Sequence, residues 1–168
     1  MKARNDDLFK IANDVLIAND EIWLNKTKGT ILDSYNGQIA ALPFSVRSQE
    51  LLSALAIYYQ DKPKAETKRK ANRRTVLNIV AQMLAADTEM LNALDSAFSN
   101  AKGRLKYVYT FNDNDQEQTK EVYDAEALLR GAIDKQNLRK LLAQEVIECS
   151  IALKHIVRTY KLVENEQA

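Results

Sequence analysis

The chain has 168 residues and a formal net charge of +1, a size that fits one domain with its own core and a charge that by itself points to no partner. One cysteine, Cys149, and one histidine, His155, exclude an internal disulfide and leave a Cys/His zinc site without ligands. The start, Met1 to Asp7, is polar where a signal peptide is apolar, and no stretch approaches the ~18 apolar residues of a membrane span, so the sequence reads as soluble, away from the membrane, in a reducing cytoplasm.

Four glycines and two prolines are too few for the turns of an all-β chain. The expected fold class is all-α: a single-domain helical bundle of about six or seven helices over residues 1–168, with 1–5 and 164–168 frayed. The first helix is expected from about Asp6 to Lys26, on the apolar stripe Leu8, Ile11, Ala12, Val15 and Ile22, with Gly29 just past its end. Thr30 offers an N-cap to a short helix through Tyr35, Ile39 and Leu42, in which Gly37 marks close packing, and Pro43 ends it. A further apolar helix carries Val46, Leu51, Leu55 and Tyr59 up to Pro63. Another is expected from about Ala65 to Ala86, and one capped by Asp87 or Thr88 carries Leu91, Leu94 and Phe98 to Gly103.

Residues 104–124 depart from the helical pattern. Tyr107-Val108-Tyr109-Thr110-Phe111 is β-prone, Asn112 to Asp115 is turn-like and Val122-Tyr123 reads as a returning strand, giving a small hairpin or an irregular insertion. A helix near Ala125–Ile133 follows, then the longest, Asn137 to Leu162. Its seam of Leu142, Val146, Cys149, Leu153, Ile156 and Tyr160 puts Cys149 in the core as a small hydrophobe.

The residue inventory carries no catalysis. Cys149 and His155 are six apart and point in different directions on a helix, so no nucleophile meets a base. Asp113 to Glu117 lacks the glycine of a calcium loop, because Gln118 stands there. No two glycines lie close enough for a phosphate cradle. A non-enzymatic protein follows, with no catalytic residue, no cofactor and no metal site.

Charge is segregated. Lys62 to Arg74 holds seven positive residues against Glu66, a local +6, and leaves the remainder at −5. On a helix, Arg69 with Arg73 and Lys70 with Arg74 would be repelling i,i+4 pairs that an anionic partner relieves by counterion release. The plain alternative is a solvated helix face. Arginines favour phosphate, which a guanidinium grips bidentately. Tyr58 and Tyr59 could stack on bases or lie in the core.

The stretch Tyr35 to Tyr59, with Leu42-Pro43, Val46-Arg47 and Leu52-Ser53-Ala54-Leu55-Ala56-Ile57-Tyr58 in that order, resembles a known family. It is similar to the small α-helical subunit of the type III-B CRISPR (Cmr) RNA-targeting effector complex. The C-terminal run from Ala143-Gln144-Glu145 to Lys154–Tyr160 resembles that family's last helix. The match departs at Gln49-Glu50, where the family carries glycine, in lacking a C-terminal tryptophan, and in the segment 104–124. The resemblance implies a non-catalytic subunit in antiviral defence. Its copies would stack beside the other Cmr subunits and help hold the duplex of guide RNA and target RNA by its phosphate backbone. Lys68, Arg69, Lys70, Arg73 and Arg74 would face RNA, with Arg47 a secondary contact after the Leu-Pro pair. Two other readings stand beside it: a helical scaffold whose basic face meets an acidic protein, and a helical DNA-binding regulator, which lacks a compact helix-turn-helix.

Overall fold

A computed structural model describes residues 2–24, 28–61 and 71–164, with side chains from Asp6 onward. Helix α1 spans Lys2–Ala18, strand β1 Thr30–Leu32 and helix α2 Asp33–Gln60. Pro43 does not end α2. The helix runs through it and breaks instead at Glu50, whose φ of 66° and ψ of 160° are not helical. The break reverses the chain. Tyr58 donates its hydroxyl to the Gln38 carbonyl at 2.6 Å, whereas twenty residues of unbroken helix would hold the two about 30 Å apart. The element is therefore a helical hairpin. Gly37 is exposed, and among the described residues nothing lies within 4 Å of where its Cβ would be, so it marks no close packing among them.

Helix α3, Arg73–Ala86, is the most enclosed element. Val76, Leu77, Ile79, Val80, Met83 and Leu84 are all fully buried, because α1, α2, α5 and α6 pack around it. Asp87 accepts from the Met90 amide and caps helix α4, Thr88–Ala93. Helix α5 spans Asp124–Asp134, and a 3₁₀ turn at Gln136–Leu138 leads into helix α6, Arg139–Val157. The predicted seam of α6 holds for Leu142, Val146, Cys149 and Leu153, which are buried, while Ile156 is half-buried and Tyr160 lies beyond the end of the helix at Val157.

The fold is not all-α. Strands β2 (Phe98–Ala101), β3 (Arg104–Asp113) and β4 (Gln116–Tyr123) form an antiparallel meander, and β5 (Lys161–Val163) pairs in parallel with β1. The molecule is mixed α/β, for two physical reasons. Leu91, Leu94 and Phe98 share helical spacing but occupy a helix, a turn and a strand. The Asp95 carboxylate accepts from the Ala97 amide at 2.9 Å, which closes a side-chain turn and sends the chain into β2. Lys102 and Gly103, then Asn114 and Asp115, have positive φ at both positions of two-residue connections, the backbone of type I′ turns whose twist suits a hairpin. Thr30 caps no helix, and Lys161–Val163 leaves the last helix, because these segments find each other across most of the chain.

The meander is half core and half solvent. Leu105, Tyr107 and Val122 are buried, while every residue from Thr110 to Glu121 is exposed, so the outer half of β3 and β4 is an arm with both faces in water. Phe98, Tyr107, Tyr109 and Phe111 form an aromatic row from core to arm, with ring centres 4.7, 6.5 and 6.0 Å apart in turn. Burial and the nearby Asp134 push the Tyr107 phenol up to about 12. The Phe98 ring fits against α5 only because residue 131 is glycine; a Cβ there would lie 2.0 Å from the ring. β4 joins α5 at Asp124, which holds φ 51° while its carboxylate accepts from Arg104 Nε at 2.8 Å.

Two substitutions test these features. Gly131→Ala should drive Phe98 from its site and cost about 1–3 kcal/mol in urea unfolding, with part of the loss restored by adding Phe98→Leu; unchanged stability would mean that the sheet does not dock on Gly131. Glu50→Gly should relieve a backbone conformation that only glycine adopts freely and raise stability by about 1 kcal/mol, seen as an increase of roughly 2–4 °C in Tm.

Candidate nucleic-acid interface

The reversal at Glu50 brings the end of α2 beside its own first half, and the chain returns to the same place at Ala71. Gln38 donates its amide to the Ala71 carbonyl at 3.2 Å, next to the Tyr58–Gln38 bond. The Gln38 Oε1 atom is buried with no hydrogen-bond partner among the described residues. Asp61, just past α2, accepts from the Arg73 backbone amide at 2.9 Å. The two ends of the basic segment are thus tied by one hydrogen bond. Asn72 is extended (φ −115°, ψ 121°), and its side chain accepts from the Arg74 amide at 2.8 Å, the N-cap of α3.

The extended Asn72 corrects the expected helix from Ala65 to Ala86, since α3 begins at Arg73. The expected i,i+4 pairs of Arg69 with Arg73 and of Lys70 with Arg74 each have one member outside the described residues. Lys68, Arg69 and Lys70 lie outside the described residues, as do Lys62 and Lys64.

The remaining candidates differ. Arg73 is exposed, with its guanidinium 5.9 Å from the centre of the Tyr58 ring. Arg74 is half-buried and engaged. Its Nε donates to the Tyr59 carbonyl at 2.7 Å, its Nη2 donates to the same oxygen, and the guanidinium stacks 4.0 Å from the Tyr59 ring centre. It caps the free carbonyl end of α2 rather than reaching out. Arg47 is exposed near the bend of the helical hairpin, nine positions beyond Gln38, or about 14 Å along the axis. Arg47 therefore stands well along α2 from Gln38, where the described end of the basic segment returns at Ala71. Its neighbour one turn back is Phe44, 72% exposed.

Neither tyrosine is open to a base. Tyr58 is buried, and Tyr59 is half-buried with Arg74 against its ring. Burial raises the Tyr58 phenol, which the Arg73 charge partly offsets. Burial likewise raises Tyr35, against hydrogen bonds from the Asn72 backbone and the Thr75 side chain. Sequence reading missed Gln38 and Asp61 as the residues that fix the ends of the segment. Asn72 before α3 was the one local signal, an N-cap residue type directly ahead of an apolar helix.

Among the described residues, no group of three or more His, Cys, Asp and Glu side chains is placed to hold a metal ion, and no helix is long and apolar enough to cross a membrane. No family model, no curated protein and no solved structure matches the chain.

The two arginines should separate cleanly by substitution. Arg74→Ala removes the α2 cap and the ring contact and should lower stability by about 1–2 kcal/mol, whereas Arg73→Ala should leave the Tm within roughly 1 °C; equal losses would contradict the assignment of Arg74 as structural.

Proposed function

We propose that this chain is a non-catalytic subunit of a type III-B CRISPR effector complex, in which the segment Lys62–Arg74 meets the phosphate backbone of paired guide and target RNA. The other Cmr subunits, and copies of the chain itself, are its protein partners in this reading. The observation that carries it is the concentration of +6 within one segment of a chain whose remainder is negative. Contact of this kind calls for charge and for a fixed frame, not for base-reading side chains, because pairing with the guide supplies sequence specificity. The frame is present in the Asp61–Arg73 and Gln38–Ala71 bonds that hold both ends of the segment.

The backbone at Glu50 also supports the family reading. It takes a glycine-favoured conformation within the Gln49-Glu50 pair that stands where the family carries glycine. The meander Phe98–Tyr123 lies outside the resembling stretch Tyr35–Tyr59 and is no part of that pattern. Arg73 is the RNA-facing residue among those described. Arg74 holds the frame, and Arg47 is an exposed secondary contact near the bend of the helical hairpin.

Anisotropy titration of the chain, alone and in the complex it co-purifies with, against single-stranded and guide–target RNA tests the reading. Arg73→Glu and Arg69→Glu should each weaken binding uniformly across RNA sequences and reduce the slope of log K against log salt by about 1 or more. If both variants bind RNA as the wild type does, the RNA reading is wrong.

A further inference from the structure

The arm formed by β3 and β4 offers a main-chain edge that no other strand among the described residues pairs with. In a hairpin closed by a two-residue turn, the residues flanking the turn exchange hydrogen bonds with each other. Asp113 and Gln116 are that pair, and Phe111–Gln118 and Tyr109–Lys120 repeat it down the ladder. The residues between them turn their N–H and C=O groups outward. The Val108 amide confirms the alternation on the β3 side, donating outward to the Ala97 carbonyl at 3.0 Å. On β4 the outward residues are Glu117, Thr119 and Glu121, all exposed, on the outermost strand of the sheet.

This edge is long enough to take a strand, and the arm lacks one. Two-stranded ribbons with both faces in water are marginal without a third strand or a packed face. A second copy of the chain is a poor occupant. In an antiparallel self-pairing, outward residues must oppose outward residues. With Thr119 opposite its own copy, Glu117 falls opposite Glu121 on both sides of the axis. Sliding one step puts Lys120 opposite Lys120, and sliding the other way puts Asp115 opposite Glu121. Each register sets like charges face to face, which destabilises the pairing.

The charge pattern favours a basic strand. Glu121 is already matched, 3.4 Å from Lys106 Nζ and accepting from the Tyr123 hydroxyl at 3.2 Å. Asp113, Asp115 and Glu117 remain against Lys120 alone at the exposed tip. We infer that the outer edge of β4 is a docking site for an extended, positively charged segment of another protein, added as a fourth strand with Lys or Arg opposite Glu117 and beside the turn carboxylates. Main-chain hydrogen bonds would supply affinity and the acidic tip would supply selectivity. The inference is independent of RNA contact by Lys62–Arg74.

The test is amide hydrogen exchange on the full-length chain with two blocked peptides of about ten residues, alternating Thr and Val, one with Lys and one with Glu at every fourth position. The Lys peptide should slow exchange at Glu117, Thr119 and Glu121 by about tenfold or more, and the Glu peptide should not. Thr119→Pro removes an outward amide that the hairpin does not use, so it should abolish this protection while Phe111 and Gln118 stay protected. Glu117→Lys keeps the strand intact, leaves two carboxylates against two lysines at the tip and should remove the preference for the Lys peptide, which keeps the inference testable if the proline variant melts the arm. Absence of protection, equal protection by both peptides, protection that maps away from β4, or concentration-dependent protection without peptide (a second copy as the occupant) would each overturn the inference.

Discussion

Glu50 is where the chain doubles back, and the contacts that fix Asp61 and residues 71–74, the described ends of the basic segment, depend on that reversal. Holding a non-glycine residue there costs about 1–3 kcal/mol. The return is a layer of contacts that a straight helix could not make: Tyr58 on the Gln38 carbonyl, Gln38 on Ala71, and Arg74 over the carbonyl end at Tyr59. Each links parts of the chain fifteen or more residues apart. Straightening α2 would therefore release Asp61 from Arg73 as well, and the segment between them would lose its fixed ends. Strain at one residue is balanced by several partly buried hydrogen bonds, each contributing about 1 kcal/mol.

The meander meets the helices in a different way. Its inner half is an ordinary piece of core, with Phe98 set against a glycine of α5 and Leu105 and Tyr107 buried beneath it. The aromatic row then continues past the core into water, as Tyr109, with Arg130 over its ring at 4.6 Å, and as the exposed Phe111. A sheet anchored at one end has a rigid base that aims its free end. The outward amides of Glu117, Thr119 and Glu121 are in this way presented by a buried foundation rather than by an independent hairpin.

Much of the helical layout is legible in the residues. The buried face of α3 and the α6 seam follow from three- and four-residue spacing, and β3 falls where aromatic and β-branched residues alternate, whereas β4 is signalled only at its end by Val122-Tyr123. What escaped reading was non-local. Thr30–Leu32 and Lys161–Val163 are too short to read as strands by themselves, and they pair with each other across most of the chain. The reversal was misplaced for a related reason. Pro43 looks like the stronger breaker, yet the helix absorbs it, and an unremarkable Glu50 carries the bend. At the candidate interface, composition revealed where the positive charge lies. It could not show that Arg74 is engaged with Tyr59, or that Arg47 stands about 14 Å up the helix, because both depend on how the chain folds back.

The parallel pair of β1 and β5 sets an order of events in folding. Closing a loop of some 130 residues costs about 4 kcal/mol in chain entropy, more than a three-residue ladder returns by itself. The ladder holds because Trp23 packs edge-on against Tyr160 and the Tyr160 hydroxyl donates to Asn13, so helix α1 must already be in place. The helical hairpin and the meander are built from contacts close in sequence and can form first. The pairing of Ile31 with Leu162 then acts as a late clasp, whose opening would loosen α1 and the chain beyond α6 together while leaving the meander closed.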